Sequence, residues 1–242
     1  MQVLIQKNYE TLSAYAAGKI VSFVKAKPNA TLCFASGDTP IGTYRLLAQQ
    51  QREGHVDFSG CTFISLDEWV CMDEHDEGSC GFFVHRDLFG PLGIAPQNIR
   101  AFNAKAHDLP AECRRMDGLI SGLGGIDLLL VGMGVNGHIA LNEPGTPFGL
   151  YSHVVDLAKS TVASAQKYFP QPTLITHGIT LGLRHVLESR EMLLLASGQR
   201  KAAAIGKALQ GELTQQLPAS IVRQHANAWV LLDEAAAAEL TL

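Results

Sequence analysis

The sequence has no run of basic residues, no long apolar segment and no closely spaced pair of cysteines. Its net charge is −4 and its lysines and arginines are scattered, which argues against a nucleic-acid partner because phosphate backbones require a clustered positive surface. No apolar run reaches the ~18 residues that a membrane span requires, and the N-terminus lacks the basic and apolar regions of a signal peptide. We therefore expect a cytoplasmic protein that binds neither nucleic acid nor membrane.

The five cysteines are odd in number and form no CxxC motif, so neither a disulfide framework nor a zinc knuckle is predicted. Cys33 and Cys61 lie in apolar contexts and are expected to be buried as small hydrophobic residues. Charged residues make up only 17% of the 242-residue chain and apolar residues 47%. This balance is typical of a globular protein with a sizeable core.

Two kinds of apolar segment alternate along the chain. Short runs predict strands at 3–5, 31–35, 62–66, 126–131, 191–196 and 228–232, and an extended segment at 153–157. Apolar residues at helical spacing predict helices at 9–24, 40–47, 82–89, 110–120, 160–169, 200–209 and 234–240. The alternation predicts an α/β fold with a doubly wound, mostly parallel sheet. No repeat, low-complexity linker or change of composition divides residues 1–242, so a single domain is predicted.

A glycine-rich turn directly follows the predicted strand at 126–131. It reads GMGVNGHIALNEP at 132–144, and its first three glycines allow the backbone to turn tightly beside a ligand. The turn carries His138 and Glu143, an imidazole and a carboxylate at the end of a strand, where open α/β sheets place their chemistry. Glu143 can orient the imidazole, and Asn136 can add a neutral hydrogen bond. A purely structural histidine is the alternative, and the glycine-rich setting argues against it.

Other polar segments also follow predicted strands. Residues 35–40, ASGDTP, combine a glycine turn with a helix that Thr39 is expected to cap, and the free N–H groups of that helix start form an anion site. Asp67 follows the strand at 62–66, and a desolvated carboxylate there can move a proton between neighbouring carbons of a sugar. Lys201 is expected in the first turn of a helix, where a cation is unfavourable unless an anion is also bound.

Each of these segments has a simpler alternative: an ordinary turn before a helix, a solvated acidic turn, or a solvated lysine. They all lie at carboxyl ends of predicted strands, however, and those ends share one edge of a doubly wound sheet. We therefore expect the segments to converge on one site.

Six segments of the chain resemble the glucosamine-6-phosphate deaminase family of amino-sugar-phosphate isomerases; they read SGDTPIGTY, SLDEW, GMGVNGHIALNEPGTPF, HGITLG, SGQRKA and LPASIVRQH. They span positions 36 to 225 in the family's order and spacing, and the NGHIALNEPG core is highly specific. The resemblance implies a Rossmann-like fold with helices on both faces of the sheet. It also implies an enzyme that opens the ring of glucosamine-6-phosphate and converts it with water to fructose-6-phosphate and ammonia. No metal and no organic cofactor is implied.

The resemblance also implies roles for single residues. Asp67 would be the base that moves a proton between C2 and C1 of the sugar, and His138 the acid and base that opens the ring. Glu143 and Asn136 would orient His138.

A phosphate site follows from the same resemblance. Its loop is formed by Ser36, Gly37, Asp38 and Thr39. Lys201 would be the cation of this site, and the family's second cation, usually Arg, falls by spacing at Lys167. A lysine supplies a point charge without the bidentate fork of arginine.

Several positions depart from the family's pattern. Asp38 replaces the usual Gly or Ser, and because a carboxylate repels phosphate, we expect its side chain to turn away. Asn136 stands where some members have Asp. Trp69 replaces the usual Tyr, and the segment Gly78-Ser79-Cys80 replaces one that usually ends in Tyr. The changes at Trp69 and Cys80 resemble the galactosamine-6-phosphate isomerase branch, so conversion of galactosamine-6-phosphate to tagatose-6-phosphate is the alternative activity.

Two rival functions belong to related folds. A 6-phosphogluconolactonase, which is a hydrolase, has a similar glycine-rich turn without the NEPG segment that this chain carries at 142–145. A non-catalytic sugar-phosphate sensor needs a DNA-binding module, and the first predicted strand here starts near residue 2. Because Asp67, His138 and Glu143 are all present, we expect an enzyme whose partner is a small sugar phosphate. No interface pattern is readable, so a homo-oligomer stays possible.

Overall fold

A parallel sheet forms the centre of the computed structural model, which describes residues 1–241. The strands are β1 (Gln2–Gln6), β2 (Thr31–Phe34), β3 (Thr62–Ile64), β4 (Asp67–Trp69), β5 (Ile99–Arg100), β6 (Leu128–Gly132), β7 (His153–Asp156), β8 (His177–Thr180), β9 (Glu191–Ala196) and β10 (Ala228–Asp233). Seven of those described form one sheet in the order β1-β10-β9-β6-β2-β3-β5. Every pair of neighbours in it is parallel, which confirms the predicted sheet.

Helices cover both faces of this sheet. They are α1 (Tyr9–Ala26), α2 (Ile41–Arg52), α3 (Cys80–Val84), α4 (Gly90–Leu92), α5 (Leu109–Gly122), α6 (Lys159–Ala165), α7 (Leu183–Glu188) and α8 (Ala202–Gln210). Successive strand residues point to opposite faces. Leu128 and Leu130 therefore pack in a core with α1 and α2, whereas Leu129 and Val131 pack in a core with α5 and α8. This arrangement confirms the doubly wound α/β fold.

A small antiparallel sheet, in the order β4-β8-β7, lies beside the parallel one. We expected Asp67 simply to follow the third parallel strand. Instead β3 ends at Ile64, and Asp67 opens the short strand β4, where it pairs with Thr180 of β8. Leu66 still connects the two strands, so Asp67 stays near the carboxyl edge of the parallel sheet.

One predicted helix is wrong, because residues 234–240 form turns and not the predicted terminal helix. The predicted helix at 82–89 is confirmed, and it is composed of α3 and a π-helical turn at His85–Phe89 that continues into α4.

The start of α2 also differs from the prediction. Pro40, and not Thr39, occupies its N-cap position, and this residue provides no side-chain cap. The hydroxyl of Tyr9 on α1 replaces that cap, because it accepts the Gly42 N–H at 2.8 Å and donates to the Thr39 carbonyl at 3.1 Å. Within residues 1–241, no helix is long and apolar enough to cross a membrane.

Candidate active site

A cavity of about 800 Å³ opens at the carboxyl edge of the parallel sheet. The segments that follow the adjacent strands β2, β6 and β9 line it, as the topology rule for open α/β sheets requires. The predicted site residues in its wall are Ser36, Gly37, Asp38, Thr39, Asn136, His138, Lys167 and Lys201. The structure therefore brings these side chains together in one place.

His138 lies in the turn that follows β6, with its side chain 20% exposed to the cavity. The turn is closed by backbone hydrogen bonds at 3.0 Å from Gly134 N–H to the His138 carbonyl and from Gly137 N–H to the Gly134 carbonyl. The Asn136 side-chain oxygen accepts the His138 N–H at 3.2 Å. Gly137 has a φ of +84°, a conformation that glycine adopts without strain. The local sequence thus fixes where the imidazole points.

Glu143 lies behind the imidazole and does not line the cavity. Its Oε2 is 3.4 Å from His138 Nδ1 and accepts a hydrogen bond of 2.9 Å from Asn136 Nδ2. Thr161 Oγ1 is 3.3 Å from the same His138 nitrogen. Burial favours a higher pKa for Glu143, but its hydrogen bonds with His138, Thr161 and Asn136 outweigh burial and lower its pKa. An ionised Glu143 can hold one imidazole tautomer and stabilise its protonated form.

Asp67 is buried and faces a second cavity of about 180 Å³. That cavity shares the wall residues Ser36, Leu66 and Cys80 with the larger one. Burial raises the pKa of Asp67 to about 6, although the Cys80 thiol and the nearby His138 act in the opposite direction. A carboxylate with this pKa accepts a proton more readily than a solvated one and is still ionised near neutral pH.

The neighbouring carboxylate, Glu68, is used in backbone hydrogen bonds. Its two oxygens accept the backbone N–H groups of Trp69, Cys80 and Gly81 at 2.7 to 2.9 Å, which anchors the start of α3. Burial raises the pKa of Glu68 to about 7, although these hydrogen bonds act in the opposite direction. Of the Asp67-Glu68 pair, Glu68 therefore has a structural role, whereas the Asp67 carboxyl group is hydrogen-bonded to the Cys80 side chain.

The loop after β2 turns at Gly37, which has a φ of +94°. We expected the Asp38 side chain to turn away from this site, but it lines the cavity and forms an ion pair with Lys167. The phenol oxygen of Tyr168, in the same short 3₁₀ turn as Lys167, would be 3.4 Å from a Cβ atom on Gly37. The predicted second phosphate cation thus lies next to the loop and is paired with a carboxylate from that loop.

Lys201 ends the 3₁₀ turn at Gln199–Lys201 that leads into α8, so it precedes the helix and does not lie in its first turn. Its ammonium group donates to the Met133 carbonyl oxygen in the wall of the cavity. Burial lowers the pKa of Lys201 to about 8, and the positive charges of Lys167 and Arg200 add to this effect. A half-desolvated cation of this kind gains strongly from a bound anion.

Three residues in or beside the cavity carry no signal in the sequence. Thr161 on α6 contacts His138, Tyr168 packs against the loop at Gly37, and Arg45 on α2 adds an exposed cation to the wall. Their spacing from the motifs is irregular, and only the folding of the chain brings them to the cavity. No group of three or more His, Cys, Asp or Glu residues within residues 1–241 is arranged to hold a metal ion.

Known proteins match this chain over nearly its whole length. A family model described as glucosamine-6-phosphate isomerases/6-phosphogluconolactonase matches residues 6–231. A glucosamine-6-phosphate deaminase of Shouchella clausii is 38% identical over 242 residues, which cover 100% of this chain and 98% of the relative. A glucosamine-6-phosphate deaminase of Clostridioides difficile is 36% identical over 241 residues, with 99% and 97% covered.

Solved structures match as well. A glucosamine-6-phosphate deaminase described as monomeric superposes with a TM-score of 0.95 at 38% identity, with 99% of this chain and 100% of that chain covered. The 6-phosphogluconolactonase from Trypanosoma brucei superposes with a TM-score of 0.76 at 20% identity, with 99% and 98% covered, and shares the fold. The chain belongs to the glucosamine-6-phosphate isomerase/6-phosphogluconolactonase family.

Proposed function

We propose that this protein is a deaminating aldose–ketose isomerase that converts glucosamine-6-phosphate and water to fructose-6-phosphate and ammonia. The observation that carries the proposal is the His138 ring, which contacts Glu143 and Thr161 and faces the cavity that the phosphate loop also lines. Relatives at 36% and 38% identity are named for this activity.

Phosphate binding comes first in this mechanism. The loop at 36–39 presents its backbone to the cavity, and Lys201 and Lys167 supply positive charge from two other segments. Charge-assisted hydrogen bonds of this type contribute about 1.5–3 kcal/mol each. A phosphate held here places the sugar over the turn at 132–138, which carries His138.

Ring opening is the task of His138. The imidazole gives a proton to the ring oxygen while the anomeric hydroxyl loses one, and the C1–O5 bond breaks to leave an aldehyde. An imidazole serves both steps because it exchanges protons near neutral pH. Glu143 fixes the ring and offsets its positive charge, and the amide of Asn136 holds Glu143 without adding a second negative charge.

Isomerisation and loss of ammonia follow. Asp67 takes the proton from C2, which gives an enolamine, and returns it to C1, which gives an imine at C2. Water adds to that imine, and the C2–N bond breaks to leave the ketone of fructose-6-phosphate and ammonia. The raised pKa of Asp67 suits a group that must first accept and then donate a proton.

A second substrate is favoured by one feature of the cavity. Trp69 and Cys80 line its wall, and these are the positions that resemble the galactosamine-6-phosphate branch. The test is ammonia release from glucosamine-6-phosphate and from galactosamine-6-phosphate, measured side by side, with 6-phosphogluconolactone hydrolysis as a third assay. We expect ammonia from an amino sugar and no lactone hydrolysis. Release of ammonia from neither sugar contradicts the proposal.

A cytoplasmic location is part of the proposal. All five cysteines are free, and four are buried, as expected in a reducing compartment. A monomer is sufficient for the proposed reaction, since all the groups named above come from one chain and a relative is described as monomeric. Size-exclusion chromatography with light scattering tests whether the protein also forms a homo-oligomer.

A further inference from the structure

Asp38 and Lys167 face the phosphate site as an ion pair. The cavity wall carries four Lys or Arg side chains, namely Arg45, Lys167, Arg200 and Lys201. Among the wall residues that the structure describes, Asp38 alone carries a carboxylate. This negative charge therefore lies among the cations that would hold a phosphate.

The pairing is favoured by a second contact between the same two segments. Tyr168 follows Lys167 directly and packs against the backbone of the loop at Gly37. The ring of Phe83 packs edge-on against Tyr168, with 5.1 Å between the ring centroids. The 3₁₀ turn at Gln166–Tyr168 is thus held over the loop, and Lys167 stays within reach of Asp38.

We propose that the Asp38 carboxylate is an internal competitor for the substrate phosphate at Lys167. This inference rests on the phosphate-binding part of the proposed function. The carboxylate occupies the lysine in the free protein, and a bound phosphate takes its place. Both side chains of the pair are more than half exposed, at 62% for Asp38 and 53% for Lys167, so the carboxylate can rotate into water at little cost.

The competition lowers the affinity for phosphate by the free energy of the pair. The measured free energies of exposed ion pairs correspond to about a two- to fivefold change in affinity. The opposite role is a positioning one, in which Asp38 holds Lys167 ready for the phosphate. The two roles predict opposite signs when the carboxylate is removed.

Asp38→Asn separates them, because the amide keeps the shape of the side chain and removes its charge. Isothermal titration calorimetry with inorganic phosphate, and separately with fructose-6-phosphate in the absence of ammonium so that no turnover occurs, measures the dissociation constants. We expect Asp38→Asn to bind both about two- to fivefold more tightly than the unsubstituted protein. Weaker or unchanged binding overturns the inference. The matched control is Glu188→Gln, which removes an exposed carboxylate paired with Arg184 outside the cavity wall and should change neither constant.

Lys167→Gln completes a double-mutant cycle. If Asp38 competes, Lys167 is partly neutralised in the unsubstituted protein, so Lys167→Gln weakens phosphate binding more in the Asp38→Asn background than alone. An equal or smaller effect in that background contradicts the competition. Phosphate titrations require no turnover, so a protein that binds phosphate but releases no ammonia rejects the proposed function and still tests Asp38. A protein that binds no phosphate overturns the inference about Asp38.

Discussion

Gly134 leaves the space that the imidazole of His138 fills. A Cβ atom on residue 134 would lie 2.5 Å from His138 Nε2, closer than any van der Waals contact allows. The φ of Gly134 is not positive, so the residue is required for space and not for backbone conformation. The glycine-rich turn thus has two kinds of glycine, because Gly137 is required for its φ of +84°.

Gly134→Ala should therefore push the imidazole out of position without unfolding the turn. We expect kcat to fall by about 100-fold, since a displacement of about 1 Å at a reacting group has an effect of that size. Steady-state ammonia release measures kcat, and thermal unfolding followed by circular dichroism measures stability. The matched control is Gly132→Ala in the same turn, where the nearest atom to the added Cβ is the Leu195 carbonyl oxygen at 4.0 Å. An equal loss of kcat in both variants contradicts this explanation.

Asp67→Asn should abolish isomerisation and leave phosphate binding in place. An amide has the shape of the carboxyl group but cannot accept the C2 proton, and loss of general-base catalysis costs about 10²–10⁴-fold in kcat. Calorimetric titration with inorganic phosphate should give an unchanged dissociation constant. Turnover near that of the unsubstituted protein would remove Asp67 from the mechanism.

The stability of Asp67→Asn provides an independent check on burial. The folded-state pKa of Asp67, about 6, exceeds its ordinary value of 3.8, so the ionised carboxylate destabilises the fold. Its contribution to stability is most favourable below pH 3.8 and is lost as the pH rises through about 6. Asp67→Asn should therefore match or exceed the unsubstituted protein in melting temperature at pH 7.5. A lower melting temperature there indicates that the ionised carboxylate stabilises the fold.

The pH dependence of kcat/KM should be bell-shaped. Asp67 must be ionised to act as a base, so activity should fall as the pH drops below about 6. Lys201 must be protonated to hold phosphate, so activity should fall as the pH rises above about 8. Initial rates at low substrate concentration between pH 5 and pH 9.5 measure both limbs.

Lys201→Arg isolates the alkaline limb. Arginine stays protonated over this whole range, so the variant should keep the acid limb and lose the alkaline one, whatever its absolute rate. If the alkaline limb persists in Lys201→Arg, that limb belongs to another group.

Lys201→Ala should raise KM by about one to two decades because a charge-assisted hydrogen bond is lost.

The parallel sheet could be predicted because its central strands are continuous apolar runs. Strands such as β6 and β9 are buried on both faces, so nearly every position in them is apolar, and a short stretch of sequence is enough to recognise them. The second sheet leaves no such pattern. Its strand β4 has only three residues, DEW, and two of them are acidic, so its burial depends on partners far away in the sequence.

The C-terminal segment shows the limit of local propensity. Residues 234–240 contain four consecutive alanines, and alanine has the highest helix propensity. A segment this short forms a helix only when packing supports it. Here Asp233 accepts hydrogen bonds from Ala236 N–H and Gly198 N–H, and Ala236 and Ala237 are buried against the sheet. These tertiary contacts hold a series of turns instead.

Apart from Lys167, which the family resemblance indicated, the candidate site could be predicted only where its residues follow strands. One turn carries Asn136, His138 and Glu143, so the local sequence is sufficient to bring them into contact. Thr161 and Tyr168 line the site from α6 and the 3₁₀ turn that follows it, and no spacing rule links them to the glycine-rich turn. The contact of Asp38 with Lys167 also joins positions distant in the sequence, so the side chain's direction depends on a partner that the loop sequence does not show.

His138→Gln should separate ring opening from isomerisation. Glutamine can still contact Glu143 but cannot exchange protons near neutral pH, so ring opening should suffer most. Asp67 carries the proton between C2 and C1 and is untouched by the change. We therefore expect turnover of cyclic glucosamine-6-phosphate to fall by about 10²–10⁴-fold. Exchange of the C1 proton with solvent, measured by nuclear magnetic resonance from fructose-6-phosphate and ammonium, should fall much less.

Thr161→Val is the matched control for this experiment, because it keeps the imidazole and removes only the hydroxyl at 3.3 Å from His138 Nδ1. The change should reduce both rates modestly and by similar factors, since the ring is less firmly held but retains its proton chemistry. If His138→Gln reduces turnover and C1-proton exchange equally, the histidine is not a dedicated ring-opening group. It then takes part in the proton transfer of Asp67 as well, or it holds the glycine-rich turn in shape, and unchanged phosphate binding in His138→Gln distinguishes the first of these from the second.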